Sequence, residues 1–414
     1  MLVKSCSRID PMAKFKALFN RVLFISLIFH SLFLWSQIDN MVAGNGDFVI
    51  FYTGAQMLIE GRGSELYHLE VQKVFQDKFK VPIRDGPLPY NHPPYELLLF
   101  LPLIYLPFPT AHLVWSLVSA ALLVLTFVLL TPFIDNKNQW LFATIMIAFY
   151  PTIATIMYGQ DSILTAFLFA GVFAALKQKR HIAAGSILAL GLYKPQLVLP
   201  MACFLFYKRC WRACTSFTLT AAVLAGVSIG LVGWKGVSDF GTLLQLIDLL
   251  NYTIDPANMA NVRGLLDNVF AFSRSFGLTH LILLSSVLVL GSSLYICTAD
   301  FDASDPLFDL EFSLVVIATL LSSYHLYAHD LTLLVIPTIL IFNHILAGRV
   351  EHSCLSRVFP SIVLTLWFPL VFLVLIQHRL LYFTSILIML FAIVLAKEIC
   401  HTRSRAHVPV WANS

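Results

Sequence analysis

Residues 177–212 read KQKRHIAAGSILALGLYKPQLVLPMACFLFYKRCWR. Lys177, Lys179 and Arg180 precede the apolar stretch, and Lys208, Arg209 and Arg212 follow it. Basic flanks hold segment ends on one side of a membrane, so residues 181–207 must enter and leave from the same side. With Lys194-Pro195 at the centre, each arm spans about 20 Å of helix, short of the ~30 Å hydrocarbon core. The stretch therefore predicts a hairpin of two broken helices with Lys194 at its tip. Backbone of that kind is tolerated at membrane depth only where it lines a protein-enclosed cavity.

The rest of the chain agrees with a membrane solvent. Of 414 residues, 58% are hydrophobic and 12% charged, and the mean hydropathy is +0.80. Soluble domains carry about twice that share of charge. The composition excludes a soluble enzyme, a disordered protein and a nucleic-acid binder. About ten spans are expected, at 17–37, 109–133, 139–158, 161–177, 211–234, 278–298, 312–328, 330–347, 357–377 and 380–397. The run 95–106 is too short to cross and is cut by Pro102 and Pro107, which predicts a short re-entrant segment. The first span lacks a small-residue cleavage site and reads as an uncleaved anchor. The seven cysteines have no metal-site or disulfide spacing, and Cys210 and Cys214 read as packing residues. The expected fold class is an all-α polytopic membrane protein.

Placing the N-terminus in the cytoplasm lets every span alternate and puts most Lys and Arg inside. The loop 299–311 conflicts, because it falls inside yet carries acids and no base. Residues 1–16 then form a cytoplasmic N-terminus, 17–347 the transmembrane core, 348–398 a C-terminal transmembrane hairpin and 399–414 a cytoplasmic tail. Two external loops are long, 38–95 and 235–277. In the first, Phe48, Phe51, Tyr52, Ala55, Leu58 and Ile59 recur at helical spacing until Gly61 and Gly63, predicting a short helix on the membrane surface.

That one orientation gathers the polar clusters on the external face: Asp47, the turn Tyr90-Asn91-His92-Pro93-Pro94, Gly159-Gln160-Asp161, Lys194, Asn261-Val262-Arg263-Gly264, and Ser323 to Asp330 with His325 and His329. Each also has a structural reading. Asp47 suits the N-cap of the helix it precedes, and Gln160-Asp161 suits a cap on the span starting at Ser162, the reading preferred there. Arg263 can pair with Asp267 one turn on. Asn91 to Pro94 makes a rigid turn, and His112 and His280 read as structural. Lys194 is costly at membrane depth and calls for an anionic partner.

Together these residues suit a phosphate-bearing substrate. Cations in a low-dielectric cavity bind phosphate, and a facing carboxylate can deprotonate a hydroxyl. No segment has the length or βαβ pattern of a nucleotide-binding domain, so an activated donor must arrive in the membrane as a lipid phosphate. No cofactor is called for, no metal is required, and a cage of Asp47, Asp161 and Asp330 is not expected.

The residues also carry a family resemblance. Gly46-Asp47-Phe48 with Tyr52, Ala55, Leu58, Gly61 and Leu66-Tyr67 resembles the first-loop pattern of the glycosyltransferase family 87 mannosyltransferases. These are GT-C type enzymes that use polyprenyl-phosphate sugars. Tyr90 to Pro94 before Leu97 to Phe100, Gly159-Gln160, Leu192-Tyr193-Lys194-Pro195, Asn261 to Leu265 and Ser323 to Leu333 are similar in order and character, over roughly 17–347. The resemblance implies inverting transfer of a hexose, mannose by that family's habit, from a polyprenyl-phosphate sugar to a lipid or glycan acceptor. It implies a site on the extracytoplasmic face of a bacterial inner (plasma) membrane, in cell-envelope synthesis. Asp47 would be the general base, assisted by His329. By charge and placement, rather than by the resemblance, Lys194 and Arg263, with Gln160 and His325, would hold the donor phosphate, and Tyr52, Asn91, His92 and Asp330 would position the acceptor or the loops. Phe48 departs from the Asp-Glu pair of the related protein O-mannosyltransferases. The rival expectation is a transporter or flippase of a lipid-linked sugar, which calls for inverted repeats that are not visible.

Overall fold

The computed structural model describes residues 11–44, 46–79, 86–249, 255–270, 276–298, 301–350 and 353–406, and no strand occurs among them. Residues 1–10 of the expected cytoplasmic N-terminus and 407–414 of the expected tail lie outside these residues. The chain begins with α1 (Pro11–Ser36), a short α2 (Ile38–Ala43), α3 (Phe48–Ile59) and α4 (Leu69–Gln76). Two 3-10 helices, Pro94–Leu99 and Leu101–Tyr105, form the proline-cut run before α5 (Phe108–Leu130). Next come α6 (Gln139–Ile147), α7 (Tyr150–Tyr158), α8 (Ser162–Lys177), α9 (His181–Leu190), α10 (Pro195–Tyr207) and α11 (Trp211–Leu249). The remainder is α12 (Val262–Val269), α13 (Phe276–Ile296), α14 (Pro306–Ser322), α15 (Val335–Leu346), α16 (Cys354–Leu366), α17 (Pro369–Gln377) and α18 (Thr384–Ala406).

Among the described residues, six helices are long and apolar enough to cross a membrane, or eight if two bent pairs each count as one span. The expected ten are not reached, for identifiable reasons. The stretch 139–158 bends by 49° between α6 and α7, and 357–377 bends by 61° between α16 and α17. Pro151 and Pro369 lie in the first turns after these breaks, where proline is preorganised but cannot continue a preceding helix. The helices α8, α9 and α10 are apolar but short. α11 is really two helices that meet at Gly233, whose φ of 71° leaves the helical region.

The hairpin expected from 181–207 is present. α9 ends in a 3-10 turn at Gly191–Tyr193, and Pro195 opens α10, leaving Lys194 at the tip. The surface helix needs correcting. α3 does end at Ile59, but Phe48, Phe51, Ala55 and Met57 are fully buried. Its sequence FVIFYTGAQMLI is apolar around most of its circumference, so it has no polar face to show water. It lies in a satellite core with Tyr67, Phe75, Tyr90, Phe100, Phe108 and Trp115. The larger core joins α1, α6 to α8, α10 and α14 to α18.

The acid-rich segment that seemed misplaced meets the basic flanks of the hairpin. Asp309 accepts from Lys177 Nζ at 2.8 Å and faces His344 Nε2 at 3.2 Å, while Glu311 pairs with Lys208. Lys208, Asp309, Glu311 and His344 are buried and Lys177 is half-buried, and the charges neutralise one another. α8 runs about 24 Å from this end to Ser162 at the other.

Candidate active site

At that other end three connections converge on a cavity of about 360 Å³. The first is the approach of the Asp47 loop to the α7–α8 turn. Gly159 has φ +66°, and a Cβ there would meet Phe48 Cβ at 2.5 Å; a Cβ on Gly46 would meet Tyr158 O at 2.9 Å. Only glycines permit this closeness. Trp115 Nε1 donates to Gly159 O at 3.1 Å and fixes the turn from behind. As a result Gln160 Nε2 donates to Asp47 Oδ2 at 2.8 Å. Asp47 occupies the N-cap position of α3 but makes no capping bond, so its carboxylate is directed to Gln160 and the cavity.

The second connection is the hairpin tip. Lys194 is 4% exposed, and its three N–H groups are all engaged. Nζ donates to Asp330 Oδ1 at 2.6 Å and to Ser162 Oγ at 2.8 Å, and it stands 2.6 Å from Asp161 Oδ1. Ser162 Oγ in turn donates to Asp330 Oδ1 at 2.9 Å. Asp161 is therefore not the simple helix cap that its sequence position suggests. It makes no capping bond and is buried against the ammonium. Asp161 and Asp330 do converge, on Lys194.

The third connection is the turn 323–334. Tyr327 N donates to Asp330 Oδ2 at 3.1 Å, and His329 Nε2 lies 3.5 Å from the same oxygen. Thr155 Oγ1 donates to His329 O, tying the turn to α7. Burial, aided by nearby Arg263, lowers the His325 pKa to about 4, so its imidazole is neutral at physiological pH.

Of the ten residues expected at the site, eight line the cavity: Asp47, Asn91, His92, Gln160, Lys194, His325, His329 and Asp330. The other two are elsewhere. Tyr52 is buried and donates to Leu106 O at 2.8 Å, bracing the segment after the 3-10 run. Arg263 stands behind the cavity, bonded to Asp248 at 3.0 Å and Asp267 at 3.4 Å, with its guanidinium 3.9 Å from the Tyr324 ring centre. Neither expected phosphate-binding cation is thus free: Lys194 is saturated and Arg263 is paired.

One residue escaped the sequence reading. Glu96, in the first 3-10 helix, is 1% exposed, and its Oε2 lies 2.8 Å from His92 Nδ1. Tyr90 Oη donates to the same oxygen at 3.3 Å, and Tyr67 Oη donates to His92 O at 2.8 Å. A lone acid inside an apolar re-entrant run was the available signal, since acids at membrane depth mark sites.

Residues 90–323 match the model of Glycosyltransferase family 87. No curated protein and no solved structure matches the chain. The match covers more than half of the sequence and includes the hairpin, the Gln160 turn and the 3-10 run. The chain belongs to glycosyltransferase family 87 and is a membrane glycosyltransferase.

Proposed function

We propose that this family 87 enzyme moves a hexose, mannose, from a polyprenyl-phosphate sugar to a hydroxyl on a lipid or glycan acceptor. The reaction takes place on the extracytoplasmic face of a bacterial inner (plasma) membrane and inverts the anomeric centre. The observation carrying this reading is Asp47, a carboxylate on the cavity wall held by one hydrogen bond from Gln160. Asp47 takes the proton of the acceptor hydroxyl as that oxygen bonds to the sugar's anomeric carbon. The bond from that carbon to the phosphate oxygen breaks, and the lipid phosphate leaves with the electron pair. One displacement gives inversion.

The surroundings suit that step. His329 lies on the same wall beside Asp330 and assists Asp47. Gln160, His325 and Lys194 face the donor phosphate, with Lys194 exchanging one of its present partners for a phosphate oxygen. Arg263 acts from behind, holding Tyr324 and so the His325 turn. Asn91, His92 and Asp330 shape the acceptor side.

The test is transfer from polyprenyl-phosphate-mannose by the purified protein, compared with Asp47→Asn. Loss of a general base lowers turnover by about 10²–10⁴-fold. An Asp47→Asn variant as active as the wild type refutes the base assignment, and transfer only from a different lipid-phosphate sugar corrects the sugar.

A further inference from the structure

Beside Lys194, buried charge is out of balance. One ammonium meets two buried carboxylates, Asp161 and Asp330, and a third, Glu96, stands beside Asp161 and His92. The imidazole of His329 is next to Asp330, and Asp47 lies across the same cavity. Asp330 is satisfied by Lys194, Ser162 and Tyr327 N. The other two are not. Glu96 Oε1 and Asp161 Oδ2 are buried and receive no N–H or O–H donor in hydrogen-bond geometry among the described residues. The two carboxyl groups lie against each other, and His92 Nδ1 stands 3.5 Å from Asp161 Oδ2. A buried carboxylate oxygen without a donor is costly.

The geometry points to a divalent metal site formed by His92, Glu96 and Asp161, of the class that takes Mn²⁺ or Zn²⁺. One ligand atom from each residue lies within 4.8 Å of the others, and His92 Nδ1 is 2.8 Å from Glu96 Oε2. Bonds of about 2.1 Å place adjacent donors roughly 3–3.5 Å apart, close to the spacing already present. One imidazole with two carboxylates is a mixed set that suits these ions better than the all-oxygen cages of Ca²⁺. Asp161 can serve both neighbours, Oδ1 toward Lys194 and Oδ2 toward the ion. Tyr67, bonded to His92 O, and Tyr90, bonded to Glu96 Oε2, hold the ligands in place. His92 lines the cavity, so the ion is set at its wall and supplies the free cation that Lys194 and Arg263 do not. Only that last role rests on the proposed lipid-phosphate donor.

The experiment uses the full chain, purified in detergent with a tag free of histidine and stripped with EDTA. It is equilibrated with Mn²⁺ alone or Zn²⁺ alone, and metal per chain is measured by mass spectrometry. One ion per chain is expected for at least one metal, with a raised thermal midpoint. Glu96→Gln and Asp161→Asn each remove a ligand and are expected to weaken binding by more than the cost, about 10- to 100-fold, of losing a ligand's supporting hydrogen-bond partner. Asp47→Asn is expected to bind the ion as the wild type does, which separates this site from the base assignment. Failure of the wild type to bind either metal overturns the site, leaving a shared proton between Glu96 and Asp161. Equal binding by wild type and Glu96→Gln overturns it too.

Discussion

The same three elements build a buried lysine–carboxylate cluster at each end of the bundle. α8 begins beside Asp161 and ends at Lys177, α10 begins after Lys194 and ends before Lys208, and α14 carries Asp309 and Glu311 while the turn after it carries Asp330. At the Lys177 and Lys208 end, two ammonium groups meet two carboxylates and the groups pack shut. At the Lys194 end, one ammonium meets two carboxylates, a third, Glu96, stands beside Asp161 and His92, and the cluster borders a cavity. Equal charge makes a lock, which holds the short hairpin against α14. Surplus charge beside an opening is costly to fold and is retained where chemistry needs it.

Breaking the comparison starts with Lys194→Met, which leaves Asp161 and Asp330 without a cation. A loss of about 3–5 kcal/mol is expected, read as a lower thermal midpoint with transfer abolished. A midpoint equal to wild type means the carboxylates are not held by Lys194. Gly159→Ala comes next, costing about 1–3 kcal/mol from its positive φ and its contact with Phe48. Its transfer rate falls as well, because the turn carries Gln160 to Asp47; normal kinetics would dissociate that turn from the site. Gln160→Leu removes a single hydrogen bond to a charged group, worth about 1.5 kcal/mol. Turnover is expected to fall about tenfold with KM nearly unchanged, and a rise in KM alone would make Gln160 a substrate contact instead. The smallest effect belongs to the balanced end. Lys208→Met with Glu311→Leu removes a matched pair and is expected to shift stability by about 1 kcal/mol with transfer retained. A collapse there as large as that of Lys194→Met would erase the contrast between lock and site.

Much of the site was legible before any coordinates. The hairpin followed from its basic flanks, and eight expected residues do line one cavity. The illegible parts have specific causes. Asp161 had a satisfactory local explanation as a cap, and nothing nearby signalled that it would turn toward Lys194. Glu96 was read as part of an apolar run, although one acid within 95–106 needed a partner. Arg263 was placed on the right side but its charge is consumed by Asp248 and Asp267, one of them visible as an i,i+4 neighbour. The surface helix failed because spacing alone identifies a helix, while the absence of a polar face decides whether it can lie in water.

By itself the sequence determined the solvent, the helical class, the broken hairpin and the set of scarce polar residues. Those follow from local terms: apolar length against bilayer thickness, proline, and basic flanks. Tertiary structure alone decided which charges meet. Lys194 and Asp330 are 136 residues apart, and Gln160 and Asp47 are 113 apart. No local period encodes such pairs. They are selected when packed helices bring buried charges together, where each ion must find a partner or lose several kcal/mol.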